Sequence, residues 1–265
     1  MIESSAPYSV VSLGKLRLQD AWRLELLHSQ PHPRLYWITR GQGRVTIRGI
    51  TRGYGPNTAI FLPPGTQLAL ELSPQLQGLE LCLPVSAMLD LPTEPFHLRV
   101  TTPEAQIGLT GLLEKTEREI AQQAPAMARA LLACGLLISA WITRELAKAD
   151  GRVARKTSHT LVERYAQATE AQFRSGQGVA VYAKALGVTP THLSRLCRDA
   201  AGKPAHALLT ERVMQEACRL LRDTNMPGRE IAAILGFSSA AYFTRAFQLS
   251  TGRTPSEFRA APRRA

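Results

Sequence analysis

The sequence predicts an α+β chain of two domains: a β-sandwich or small β-barrel followed by helices, then an all-α domain carrying two helix-turn-helix motifs. Three observations carry this prediction. From Ser9 to about Leu83, apolar residues alternate with polar ones, and Gly and Pro interrupt the runs. From Pro103 to Lys148 the apolar spacing changes to three and four. Between Val179 and Arg259 one short pattern occurs twice.

The strands come first. Trp22, Leu24 and Leu26 alternate with Arg23 and Glu25; Val45 and Ile47 alternate with Arg44, Thr46 and Arg48. Leu68, Leu70 and Leu72 alternate with Ala69 and Glu71, and Leu79, Leu81 and Leu83 with Glu80 and Cys82. Each run reads as a half-buried strand. Gly41-Gln42-Gly43, Gly53-Tyr54-Gly55-Pro56-Asn57 and Pro63-Pro64-Gly65 supply the turns. Many short strands joined this way imply a sandwich or small barrel rather than a parallel sheet.

Two helices follow. The first runs from Pro103 to Gln123 and carries Ile107, Leu109, Leu112, Leu113 and Ile120. The second, Ala126 to Lys148, carries Met127, Leu131, Cys134, Ile138, Trp141, Ile142 and Leu146. It is apolar over more than one stripe and should touch two surfaces. Asp150 to Ser158 reads as a linker, and a further helix is expected from Thr157 to about Ser175. The domains are therefore drawn as 1–150 and 157–260.

The repeated pattern is a short helix, a glycine, an apolar residue, a hydroxyl N-cap and a second helix. Its first copy spans Val181 to Leu196, with Gly187 at the turn and Thr189-Pro190 opening the second helix. Its second spans Glu230 to Phe247, with Gly236 at the turn and Ser238 or Ser239 as the cap. Leu186, Val188, Leu193 and Leu196 should clamp one helix pair, and Ile231, Ile234, Leu235, Phe237, Phe243 and Phe247 the other. This leaves Thr191, His192, Ser194, Arg195 and Arg198 outward on one second helix, and Ala240, Ala241, Thr244 and Arg245 on the other. A helix from Pro204 to Arg222 joins the motifs.

Composition bounds the function. The chain has 265 residues and net charge +11. Residues 151–265 hold 18 Lys and Arg against 8 Asp and Glu, while residues 1–150 hold 14 against 13. Such an imbalance on the half with both motifs reads as an electrostatic footprint for phosphates. The four cysteines, Cys82, Cys134, Cys197 and Cys218, form no Cys-x-x-Cys pair and indicate neither a zinc site nor a disulfide framework. Glu3 lies early in a chain start without a long apolar core, and the longest apolar run, Ala130 to Ile142, is too short to span a bilayer. A cytoplasmic protein without a membrane partner is expected.

Residues Thr157 to Arg259 resemble the DNA-binding domain of the AraC/XylS family of transcription regulators. The matching residues are Ile231-Ala232, Gly236-Phe237, Tyr242-Phe243, Arg245-Ala246-Phe247, Gly252, Pro255 and Phe258-Arg259, with Pro204, Arg212, Ala217 and Leu220-Leu221 in the joining helix. Cys197 departs from the usual aromatic, and Ala241 from the frequent Ser. The resemblance implies sequence-specific binding of double-stranded DNA, with Arg195 and Arg245 meeting guanine edges or phosphates in two major-groove segments. Thr191, His192, Ser194, Arg198, Ala240 and Thr244 complete the expected surface. It further implies a homodimer, and RNA polymerase as a further partner. The helices at 103–148 either form the dimer interface, as often in the family, or pack against the barrel alone.

Gly41/Gly43 and Pro63-Pro64-Gly65 also resemble the cupin-like effector domain common at the N-terminus of that family. Metal-binding cupins place two His together, then a Glu and a third His; here His28 and His32 flank prolines and Leu68 stands in the third place. No metal and no cofactor are expected. The barrel would hold a small-molecule effector, lined by Trp22, Tyr36 and Trp37 and met by Arg34, Arg40 or Arg44. Two other readings are a cupin-class metal enzyme fused to a DNA-binding domain and a regulator without an effector.

Overall fold

The computed structural model describes residues 8–149 and 157–261. Most of the expected linker, Asp150–Ser158, lies outside the described residues, as does the stretch containing Glu3.

The first half contains β1 (Ser9–Ser12), α1 (Leu13–Asp20), α2 (Trp22–Glu25), β2 (Arg34–Arg40), β3 (Gly43–Ile47), β4 (Ile50–Tyr54), β5 (Thr58–Leu62), β6 (Leu68–Leu70), β7 (Gln77–Cys82) and β8 (Phe96–Arg99), then α3 (Pro103–Gln122) and α4 (Met127–Ala149). The strands form two sheets, ordered β1-β7-β2-β5-β8 and β4-β3-β6. All pairings are antiparallel.

Alternation along β2 decides what each face of the larger sheet touches. Leu35 and Trp37, with Ala59, Phe61 and Leu81, face a core shared with Leu109 and Leu113 of α3 and Ile138 and Ile142 of α4. Tyr36 and Ile38, with Ile60 and Leu62, face Val45, Tyr54, Leu68 and Leu70 of the smaller sheet. The tryptophan N–H groups are satisfied within the first core: Trp37 Nε1 donates to Thr110 Oγ1 at 2.9 Å, and Trp141 Nε1 to the Ala105 carbonyl at 3.0 Å. The result is a layer of helices, a five-stranded sheet and a three-stranded sheet.

Two expectations need correction. The expected cupin-like barrel is an open sandwich, because among the described strands β4 pairs only with β3 and β8 only with β5. The three residues of β6 and four of β8 leave too short an edge to close the sheets on each other. The strand expected over Trp22–Leu26 is instead helix α2. Its alternating apolar residues serve two cores: Leu24 enters the sandwich, while Trp22 and Leu26, four apart and so on one helical face, pack against the second half. Period two over five residues fits that arrangement as well as a strand.

The second half is all helical: α5 (Thr157–Gln172), α6 (Val179–Ala185), α7 (Pro190–Ala201), α8 (Ala205–Asp223), α9 (Gly228–Ile234), α10 (Ala240–Thr251) and α11 (Pro255–Ala260). The central helix α8 buries one side against each motif. Leu27 of the first half belongs to the core formed by Val162, Tyr165, Tyr182, Leu193 and Cys197.

His28 sits at this junction and is almost fully buried. Its Nδ1 lies 2.9 Å from the Leu26 carbonyl, and its backbone exchanges hydrogen bonds with Leu68. Burial lowers its pKa to about 4; the Leu26 carbonyl and Glu170 pull the other way, and Arg212 and Arg34 reinforce the fall. The folded chain therefore holds His28 neutral, whereas the unfolded chain protonates it near its ordinary value of 6.5. Stability from this site is present above pH 6.5 and is lost as pH falls toward 4, by at most about 3 kcal/mol. Denaturant unfolding of the wild type and of His28→Gln across that window should show a steeper acid loss for the wild type; parallel curves would refute the assignment.

Candidate nucleic-acid interface

The two motifs are built by the same backbone device. After α6, Gly187 takes φ +72° and the Val188 N–H donates to the Ala183 carbonyl at 3.0 Å. After α9, Gly236 takes φ +77° and the Phe237 N–H donates to the Ala232 carbonyl at 2.9 Å. Each is a six-to-one closure around a left-handed residue, a conformation that favours glycine. Thr189 Oγ1 then accepts from the His192 N–H, and Ser239 Oγ from the Tyr242 N–H, so Ser239 rather than Ser238 caps α10. Losing either cap should cost about 1 kcal/mol.

The cores differ. Around α7 they are Leu193 and Cys197 against Tyr165 and Tyr182, whose rings meet edge to face at 5.7 Å. Around α10 they are aromatic: Phe237, Phe243, Phe247 and Phe258 form a chain of ring contacts between 5.3 and 5.8 Å. Cys197 thus replaces an aromatic inside a core, where burial pushes its thiol up to about 12. Ile234, expected among the clamping residues, is 43% exposed on the last turn of α9. Leu235 takes the buried place beside it because the helix is ending there.

The expected surface residues divide as follows. On α7, Thr191, Arg195 and Arg198 are exposed and His192 and Ser194 partly so. Arg195 lies against the His192 ring, 3.3 Å from Nδ1. On α10, Ala240, Ala241 and Arg245 are exposed. Thr244 is half-buried, and its hydroxyl donates to the Ala240 carbonyl at 2.9 Å. Among the described residues, no carboxylate pairs with Arg195, Arg198 or Arg245. Tyr242, 58% exposed and edge-on to Phe237, belongs on this surface too.

The expected effector residues are not brought together. Tyr36 points between the sheets, whereas Trp37 points to the helices on the opposite face. Trp22 packs edge-on against Phe258 at 5.9 Å, and Arg40 and Arg44 are exposed. Only Arg34 and Tyr36 share a site. Arg34 donates to Glu80 Oε1 at 3.0 Å, and the Tyr36 hydroxyl lies 3.4 Å from the same oxygen. Burial raises the Glu80 pKa, opposed by Arg34 and by the Tyr36 hydrogen bond. Glu80 escaped notice in the sequence because it alternates with leucines, the pattern of a solvated strand face.

The glycine turns make a measurable contrast. A Cβ on Gly187 would meet nothing within 4 Å, so Gly187→Ala should lose only the left-handed strain, about 1–2 kcal/mol. A Cβ on Gly236 would sit 2.3 Å from the Gly176 nitrogen and 2.5 Å from its Cα. Gly236→Ala must therefore move backbone and should cost roughly 3 kcal/mol or more. Chemical denaturation of both variants should show this order, and equal losses would contradict the close approach.

The chain is similar to several known proteins. Residues 182–261 match the family described as Helix-turn-helix domain. The Proteus vulgaris protein named "Probable transcription factor PqrA" is 33% identical over 92 residues, which are 34% of this chain and 75% of that protein. The arabinose operon regulatory protein of Escherichia coli (strain K12) is 34% identical over 82 residues, 31% of this chain; the match spans only 28% of that regulator. Among solved structures, the C-terminal domain of AraT, a response regulator from Geobacillus stearothermophilus, is 29% identical and matches 42% of this chain and 92% of its own, with a TM-score of 0.39. Unsaturated-fatty-acid-bound ToxT from Vibrio cholerae is 12% identical over 97% of this chain and 95% of its own, with a TM-score of 0.46. Two capped, glycine-hinged helix pairs around one joining helix, matched by a transcription factor over most of that relative's length, place the chain: it belongs to the AraC/XylS family of DNA-binding transcription regulators.

Proposed function

We propose that the chain reads two successive major-groove segments with α7 and α10, and that α7 supplies most of the base discrimination. The carrying observation is the difference between the two exposed faces. On α7, Thr191, His192, Ser194, Arg195 and Arg198 offer donors and acceptors suited to base edges. On α10, Ala240 and Ala241 offer methyl groups, and the Thr244 hydroxyl proton is already committed to its own helix. Alanine can touch a thymine methyl but selects no hydrogen-bonding pattern, so α10 grips phosphates through Arg245 and Tyr242 and orients the protein. Arg195→Ala should cost about 1–3 kcal/mol and relax base preference in one half of the site. Arg245→Ala should weaken binding evenly across sequences. Binding-site selection with both full-length variants decides this; a sharper loss of preference for Arg245→Ala would reverse the roles.

The division at 1–150 and 157–260 assigns control to the first half, in the manner of a cupin-like effector domain. Its small-molecule site is the Arg34–Glu80–Tyr36 cluster, where an anionic group on the ligand would compete with Glu80 for Arg34. A thermal-shift screen of small carboxylates and phosphates should find a stabilising ligand whose effect disappears in Arg34→Leu; a hit that survives this change places the effector elsewhere. The chain acts as a cytoplasmic homodimer that also engages RNA polymerase. Support for the dimer comes from α4, whose inner face is buried while Leu136 and Leu137 remain exposed. Sedimentation of the purified chain as a monomer at micromolar concentration would remove the dimer.

A further inference from the structure

The first half contacts α5 and α7 beside the start and middle of the helix that joins the two motifs, and touches that helix itself at its C-terminal end. Near its start, Gly49 of the β3–β4 turn lies so close to α5 that a Cβ there would be 2.8 Å from Val162 Cγ1. Beside it, the Thr51 hydroxyl reaches the Ala201 carbonyl at the end of α7, at 3.5 Å. Midway, Ser29 Oγ donates to Glu170 at 2.5 Å, and Glu170 is the carboxylate that holds Arg212 of α8. At the far end, Arg23 of α2 makes a two-pronged bridge to Asp223, at 3.1 and 2.7 Å. Trp22 packs on Phe258 of α11 next to it, and Asp20 lies 3.9 Å from Arg222. Helix α8 has 19 residues, about 28 Å at 1.5 Å per residue.

These contacts belong to both motifs. The Thr51 contact is at the end of α7 and the Gly49 contact on α5 packed against it, whereas the Arg23 contact is at the end of α8 and the Trp22 contact on α11, both packed against the second motif. Two recognition helices on one chain can meet two grooves only if their separation matches the helical repeat, about 34 Å on B-DNA. Any bending of α8, or rocking of α10 and α11 about its end, changes that separation. We propose that the first half is a splint for the joining helix, and that Arg23 and Trp22 are positioning residues that fix the second recognition helix relative to the first and so set the DNA spacing the protein accepts. They touch no DNA themselves. α2 is suited to this task because Leu24 is anchored in the sandwich core while its other face holds the second motif.

The inference rests on the two-groove reading above, and its test separates the two. The site selected by the full-length wild type is rebuilt with one to five base pairs inserted between its two recognised segments. The wild type should lose about a hundredfold in affinity at the worst insertion, while Arg23→Glu should lose no more than about tenfold. Asp223→Arg should behave like Arg23→Glu, and the double variant Arg23→Glu/Asp223→Arg should restore strict spacing. A merely structural role would lower affinity at every spacing alike. Unchanged spacing preference in Arg23→Glu, or no rescue by the double variant, overturns the splint. If the wild type itself shows no spacing preference, the two-groove reading fails and the splint with it. Thermal unfolding confirms that each variant is folded, and Arg23→Ala substitutes where the reversed charge prevents folding.

Discussion

Arg212 has almost no contact with solvent, and a charge in that position is tolerable only because every side of it is matched. Its Nε and one terminal nitrogen donate to Glu170 between 2.8 and 3.0 Å, the other donates to Gln215 at 3.2 Å, and its plane lies 3.8 Å over the Phe173 ring. Glu216 stands 3.8 Å away on the next turn. Burial alone would raise the Glu216 pKa, but hydrogen bonds from Arg219 and Arg174 and the charge of Arg212 bring it to about 2. Removing one partner from such a lattice strands a buried charge and costs about 3–5 kcal/mol. Because Glu170 is on α5 and Arg212 on α8, the pair fixes the helix that precedes the first motif to the joining helix. Ser29 then brings the first half onto the same carboxylate.

The backbone makes a second fixed point. Gly176 follows the short 3-10 turn at Phe173–Ser175 and takes φ +70°; its main chain lies directly against that of Gly236. Two glycines are needed because a side chain on either would enter the other's backbone. The turn of the second motif is thereby held by the segment that precedes the first. The motifs share a hinge design, yet Gly187 faces open space and Gly236 does not. Equivalent residues in a repeated pattern therefore carry unequal structural loads.

That inequality marks how far the sequence could be read. The motifs were legible because glycine, hydroxyl cap and apolar spacing are local requirements, satisfied within about 16 residues each. The partner of Gly236 lies 60 positions upstream and leaves no local signal. Strand alternation located Val45–Ile47, Leu68–Leu70 and Leu79–Leu81. The same rule misread Trp22–Leu26, where a residue's face depends on two different cores. Tyr36 and Trp37 show the reverse: adjacency in a strand places them on opposite faces, so they could not line one site, a consequence of the period that compositional reading passed over. Sheet closure was not legible either, since it depends on the lengths of edge strands.

The positive character of the second half has a structural origin beyond composition. Its acidic residues are largely engaged within the fold. Glu170 and Glu216 are taken by arginines, Glu211 by Lys203 at 2.9 Å, and Asp223 by Arg23. Glu257 closes the capping box with Thr254 at the start of α11, where backbone and side-chain hydrogen bonds lower its pKa. The ion pairs among these neutralise cations that lie outside α7 and α10. Among the described residues Arg195, Arg198 and Arg245, on α7 and α10, have no carboxylate partner, and neither have Arg229 and Arg259. In the proposed complex a phosphate backbone would meet those on α7 and α10 without displacing a carboxylate, and release of the phosphates' counterions would favour the encounter. The ion pairs that hold the fold together thus leave the exposed arginines of α7 and α10 unmatched.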